Sequence, residues 1–133
     1  MKNILLVEDD YLDVESVKRA LNKLKIEYTL HVAHNGVEAL GMLTREENKI
    51  VPDIILLDLN MPKMNGIEIL AIIKNYFSLK TIKVFILTTS DEEYEKIVTQ
   101  NLGVAGYIIK PLNFSLSDPG DTAILKKELL NEN

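Results

Sequence analysis

The residues able to do chemistry in this chain follow short apolar runs. Glu8, Asp9 and Asp10 come after Ile4-Leu-Leu-Val7, and Asp58 ends Ile54-Ile-Leu-Leu-Asp58. Thr88 closes a run from Val84 to Leu87, and Lys110 follows Tyr107-Ile-Ile109. Carboxylates gathered in one place raise each other's pKa values unless a cation lies among them. Hard oxygen donors with open positions suit Mg²⁺, which takes one or two carboxylates and keeps several waters. The acidic residues therefore read as a Mg²⁺ site. Beside such a cation, Asp58 is a nucleophile for phosphorus, since Asp carboxylates form acyl phosphates. The charge of a transferring phosphoryl group needs fixed donors as well as metal. Lys110 offers a point charge and Thr88 a hydroxyl.

Each residue also has an ordinary structural role. An Asp at a strand end turns the chain, and acidic residues before a helix favour its N-terminus. A lone Lys is usually a solvated one, and Thr88 could simply end a strand. The chemical reading rests on all of them meeting at one edge, so the elements that carry them decide the matter.

Those elements alternate. Residues 3–7 read as a buried strand. Val14, Val17, Leu21 and Leu24 then recur at helical spacing over 11–25. Residues 28–33 form a second strand that alternates enough to lie near an edge. Asn35-Gly-Val-Glu38 reads as a helix cap rather than a hairpin, because no strand pattern follows, and that helix runs to about residue 46. The unbroken apolar run at 54–58 marks a strand buried on both faces. Asn65-Gly-Ile-Glu68 repeats the cap and opens a third helix, apolar at Ile69, Leu70, Ile72, Ile73 and Phe77. Residues 83–87 are a fourth strand. Ser90-Asp-Glu-Glu93 has the form of a capping box, which predicts a fourth helix from about Asp91 with Tyr94, Ile97 and Val98 inward. Residues 105–109 are a fifth strand, 113–119 a loop, and about 119–130 a final helix. Helices between strands imply parallel pairing with right-handed crossovers. The class is α/β, a five-stranded parallel sheet in order 2-1-3-4-5 with five helices. In such a sheet ligands bind beyond the strands' carboxyl ends, where every candidate residue falls.

Composition narrows the function. The chain has 133 residues, which suits one domain. It has no Cys, which excludes disulfides and thiolate chemistry and fits a reducing cytoplasm. Its formal charge of −5 argues against nucleic acid as a partner. No apolar run is long enough for a membrane span or a signal peptide. His31 and His34 lack partners at ligand spacing, and Met61 and Met64 read as loop packing.

With these residues in hand, the chain resembles a response-regulator receiver domain of two-component signalling. The likeness covers Lys2 to about Leu112. It rests on LLVEDD (5–10), LLDLNMPKMNG (56–66), ILTTS (86–90) and GYIIKP (106–111). The resemblance implies a flavodoxin-like, three-layer fold, with Asp58 as phosphoacceptor. It implies Mg²⁺ held by Asp9 directly, by Glu8 largely through water, by Asp58 and by the Asn60 backbone carbonyl. Thr88 would be the switch hydroxyl, Tyr107 the aromatic that turns with it, and Lys110 the phosphoryl-oxygen ligand, ahead of a cis Pro111. Thr89 stands where the family often has Ala or Gly, which implies narrower donor access. A last helix usually begins two or three residues past that proline, whereas here Asp118-Pro119-Gly120 intervenes.

The implied function is signal relay by protein contact, with no enzymatic activity beyond Mg²⁺-dependent self-phosphorylation and dephosphorylation. A sensor histidine kinase or phosphotransfer protein would phosphorylate Asp58. A downstream protein target would read the change, and two copies could pair through the fourth helix, fifth strand and final helix. The expected organisation is one receiver over 1–133, its final helix at 119–131, with no output domain. One alternative is a receiver-fold binding module that acts without phosphorylation, against which the complete set of Glu8, Asp9, Asp58, Thr88 and Lys110 argues. A phosphatase of the haloacid dehalogenase kind would want a second Asp two positions after the nucleophile; that position is Asn60, which cannot transfer a proton.

Overall fold

The computed structural model describes residues 1–61, 65–114 and 120–131. Strands and helices alternate as β1 (Lys2–Val7), α1 (Tyr11–Lys23), β2 (Tyr28–Ala33), α2 (Gly36–Thr44) and β3 (Ile54–Leu57). They continue as α3 (Gly66–Asn75), β4 (Lys83–Thr88), α4 (Glu93–Asn101), β5 (Gly106–Ile109) and α5 (Asp121–Leu130). All pairings are parallel, and the sheet order is β2-β1-β3-β4-β5. The edge strand β2 is only half-buried until Ala33, whereas every residue of β3 is buried.

The strand period of two divides the core between the two faces. Ile4, Leu6, Ile54, Leu56, Phe85 and Leu87 pack with Val14, Val17 and Leu21 of α1 and with Leu125 and Leu129 of α5. Their neighbours Leu5, Val7, Ile55, Leu57, Val84 and Ile86 pack on the other side with Ala39 and Leu43 of α2 and Ile69, Leu70 and Ile73 of α3. Each fully buried aliphatic side chain contributes about 1.5–3 kcal/mol, so the sheet is held from both sides. Met61 joins the second layer; Met64 lies outside the described residues.

The caps at Asn35 and Asn65 form as their spacing predicts. Asn35 Oδ1 accepts from the Glu38 N–H at 2.8 Å, and Asn65 Oδ1 from the Glu68 N–H at 3.0 Å. Ser90 does not cap. Its hydroxyl donates to the Glu95 carboxylate and accepts from the Glu92 N–H at 3.4 Å, and α4 begins later, at Glu93, behind Glu92, which makes no side-chain cap. Of the residues expected inward, Tyr94 and Ile97 lie outward, at 71% and 49% exposure, and Val98 is half-buried. Thr99 is the buried residue of α4, its hydroxyl returned to the Glu95 carbonyl at 2.8 Å. Phe77 likewise leaves the expected inner face. It lies beyond the end of α3, exposed, with the Lys80 ammonium 5.1 Å from its ring centre. The final helix starts at Asp121 behind Gly120; Asp118 and Pro119 lie outside the described residues.

Candidate functional site

Pairing register sets the site. Val7 is level with Leu57, Leu57 with Ile86, and Thr88 with Ile109. The residues just past those strand ends are tied sideways. The Asp58 N–H donates to the Val7 carbonyl at 3.1 Å, and the Lys110 N–H to the Thr88 carbonyl at 2.7 Å. Glu8, Asp58, Thr88 and Lys110 thus share one edge although most of the chain separates them.

Glu8, Asp58 and Thr88 are buried, and Asp9 is exposed. One carboxylate oxygen each from Glu8, Asp9 and Asp58 lies within 4.8 Å of the others. An all-oxygen set of that size, open through Asp9, fits a hard divalent cation. Asp10 takes no part in it. Its side chain caps α1, accepting from the Leu12 N–H at 2.8 Å and the Asp13 N–H at 3.4 Å.

Lys110 supplies the opposing charge. Its Nζ lies 2.5 Å from Glu8 Oε1, 2.8 Å from Asp13 Oδ2 and 3.5 Å from Asp58 Oδ2. Burial alone would lower the Lys110 pKa, but the hydrogen bonds to Asp13 and Glu8 and the Asp58 charge outweigh it, so it lies above the usual lysine value. Burial pushes Glu8 up to about 7; the Lys110 hydrogen bond opposes this and the Asp58 charge adds to it. A cation at the site would favour the charged carboxylate and lower that value.

Thr88 is engaged on the other flank. Its Oγ1 accepts from Asn60 Nδ2 at 3.1 Å and from the Ser90 N–H at 3.3 Å. The Asn60 N–H in turn donates to Asp58 Oδ1 at 3.2 Å. Tyr107 is half-buried, and its hydroxyl donates to the Ser90 carbonyl at 2.9 Å. Its backbone N–H donates to Asp121 Oδ2 at 2.7 Å, which ties β5 to the start of α5. Thr89 is exposed and borders a cleft of about 240 Å³ shared with Asp13, Ser16 and Lys110. The Lys110–Pro111 peptide bond is cis.

Sequence reasoning did not single out Asp13 or Asp121. Asp13 carried a faint signal, standing one helical turn after the capping Asp10. Asp121 had none, because its partner is a backbone N–H fourteen residues earlier.

The response regulator receiver domain model matches residues 4–116. The chain belongs to the response regulator receiver family. Response regulator Rcp1 of Synechocystis sp. is 41% identical over 115 residues, spanning 84% of this chain and 78% of that protein. A solved structure of the Mn²⁺-bound form of Rcp1 superposes with a TM-score of 0.84 at 36% identity, covering 100% of this chain and 98% of that one. The phosphorylated cyanobacterial phytochrome response regulator RcpA gives 0.79 at 36% identity, over 95% and 89% of the two chains. The fold of this receiver is therefore flavodoxin-like, and the function it carries is that of a phosphoacceptor response regulator. No helix among its described residues is long and apolar enough to cross a membrane.

Proposed function

We propose that Asp58 accepts a phosphoryl group from a histidine kinase or phosphotransfer protein in the reducing cytoplasm, and that this changes a protein-binding surface. One observation carries the reading: the carboxylates of Glu8, Asp9 and Asp58 converge beside Lys110. Glu8, Asp9, Asp58 and the Asn60 backbone carbonyl would hold Mg²⁺, which when bound screens the charge of an incoming phosphoryl group. That a relative is crystallised with Mn²⁺ and another in phosphorylated form supports this assignment.

The chain's own residues do the rest. An Asp58 oxygen attacks phosphorus, and the donor's P–N bond breaks as its imidazole takes the electron pair. Lys110 leaves its carboxylates for a phosphoryl oxygen. The Thr88 hydroxyl leaves Asn60 for another, and Tyr107 follows. The readout surface is α4, β5 and α5, where Tyr94, Ile97, Ile109 and Ile124 are exposed apolar residues. A downstream protein, or a second copy, would dock there.

Intact-mass spectrometry tests the reading. With Mg²⁺ and either kinase or acetyl phosphate, the wild-type chain should gain a phosphate that base or hydroxylamine removes. EDTA or Asp58→Asn should abolish the gain. A wild-type chain that gains none from either donor would establish it as a receiver-fold binding module that works unphosphorylated.

A further inference from the structure

We propose that Asp13 is a positioning residue that acts through Lys110, holding its ammonium on the α1 side of the acceptor until a phosphoryl group draws it away. The proposal rests on the reading of Asp58 and the cation site given above. The Lys110 ammonium is nearer to Glu8 and Asp13, at 2.5 and 2.8 Å, than to Asp58, at 3.5 Å. Of these three carboxylates, Asp13 alone stands outside the group that can hold a cation. It sits in the first turn of α1, with its backbone N–H fixed by the Asp10 cap. Lys110 starts from the end of β5, fixed by its own N–H on Thr88. The pair thus bridges α1 and the end of β5, each anchored by its own backbone hydrogen bond.

One ammonium divides its three donors between the flanks, bonded to Glu8 and Asp13 and farther from Asp58. While Asp13 holds it, its charge is partly neutralised, and it competes less with a divalent cation for Glu8 and Asp58. Without Asp13 the ammonium, already on Glu8, is free to close on Asp58 as well, so cation binding weakens. Once Asp58 carries a phosphoryl group the sign reverses. Asp13 then competes with that group for Lys110, and its removal should lengthen the phosphoryl lifetime. Asp13 is a half-buried partner at a cleft, so each effect should be about three- to fivefold, the scale of a partly screened ion pair.

The test compares wild type with Asp13→Asn, which keeps shape and removes charge, and Asp13→Glu, which keeps charge. Mg²⁺ affinity of the unphosphorylated protein is read by titration calorimetry, and acyl-phosphate lifetime by intact mass after acetyl phosphate. Asp13→Asn should weaken Mg²⁺ binding and lengthen the lifetime, and Asp13→Glu should restore both toward wild type. In a Lys110→Ala background Asp13→Asn should no longer change Mg²⁺ affinity, since its effect runs through Lys110. The proposal is overturned if Asp13→Asn matches wild type, if affinity and lifetime fall together as a loosened site would give, or if the change persists without Lys110. Should wild type take no phosphate, the Asp58 reading fails, and the Mg²⁺ arms still decide the role of Asp13.

Discussion

The Asn60 amide and the Thr88 hydroxyl are bonded to each other, Nδ2 to Oγ1 at 3.1 Å, across the gap between the loop after β3 and the end of β4. The loop after Asp58 and the end of β4 are therefore one connected unit. Thr88 is fully buried, so its oxygen loses a partner rather than gaining water when Asn60 is cut back. Asn60→Ala should lower unfolding stability by about 0.5–1.5 kcal/mol. In a double-mutant cycle with Thr88→Val, urea unfolding should recover most of that figure as coupling. Strictly additive losses would show that the two groups do not interact.

Thr88→Ala separates accepting phosphate from reporting it. Glu8, Asp9, Asp58 and Lys110 are untouched, so phosphate uptake by mass should stay within a few-fold of wild type. Conformational change is available only to the extent that the two states differ in interaction energy. With the hydroxyl gone, beryllofluoride should no longer alter partner binding or sedimentation. A Thr88→Ala chain that responds as wild type does would place the switch elsewhere.

Gly66 is fitted against the acceptor loop. A Cβ there would lie 2.6 Å from both the Asp58 carbonyl oxygen and the Leu59 Cα, and neither backbone atom can swing aside. Gly66→Ala should therefore cost about 1–3 kcal/mol through overpacking. Because the displaced backbone carries Asp58, Mg²⁺ affinity should fall as well, which calorimetry would detect. An alanine tolerated without loss would mean that α3 can retreat.

Glu8 makes the metal-free protein sensitive to pH. Its carboxyl is raised from 4.5 to about 7, chiefly by burial, so the folded chain holds that proton more tightly than the unfolded one. The linked stability is present below about pH 4.5 and is lost as pH rises through 7. Unfolding in EDTA between pH 5 and 8 should show wild type losing stability relative to Glu8→Gln, which has no proton to release. Parallel curves for the two chains would remove Glu8 as the cause.

Much of this molecule is legible from its residues, for physical reasons that also mark where reading stops. Ile54 to Leu57 has no polar member, and only a strand covered on both faces explains that run. Asn35 and Asn65 each precede an acidic residue by three positions, and the cap bond is local. Ser90 has the same spacing, yet its hydroxyl donates to Glu95 and accepts from the Glu92 N–H two residues on rather than from Glu93, a choice that spacing alone does not reveal. Tyr94 and Ile97 are apolar at helical spacing, which reads inward, yet the buried residue of α4 is Thr99. Asp10 counts as a metal-site carboxylate or a cap with equal right until the loop geometry is known. Asp13 is the harder case, since its partner Lys110 lies 97 residues away and only the sheet order brings them together.

That distance has a consequence for how the molecule is made. Glu8 and Lys110 are 102 residues apart in the chain, and parallel pairings of long range form slowly. A nascent chain emerging from the ribosome presents Glu8, Asp9 and Asp58 long before the lysine that answers them. Until β5 docks, those carboxylates lack Lys110 as a partner. Lys110 reaches the sheet edge only with the last strand, so the charges of the site are balanced by a residue that the complete sheet order alone can deliver.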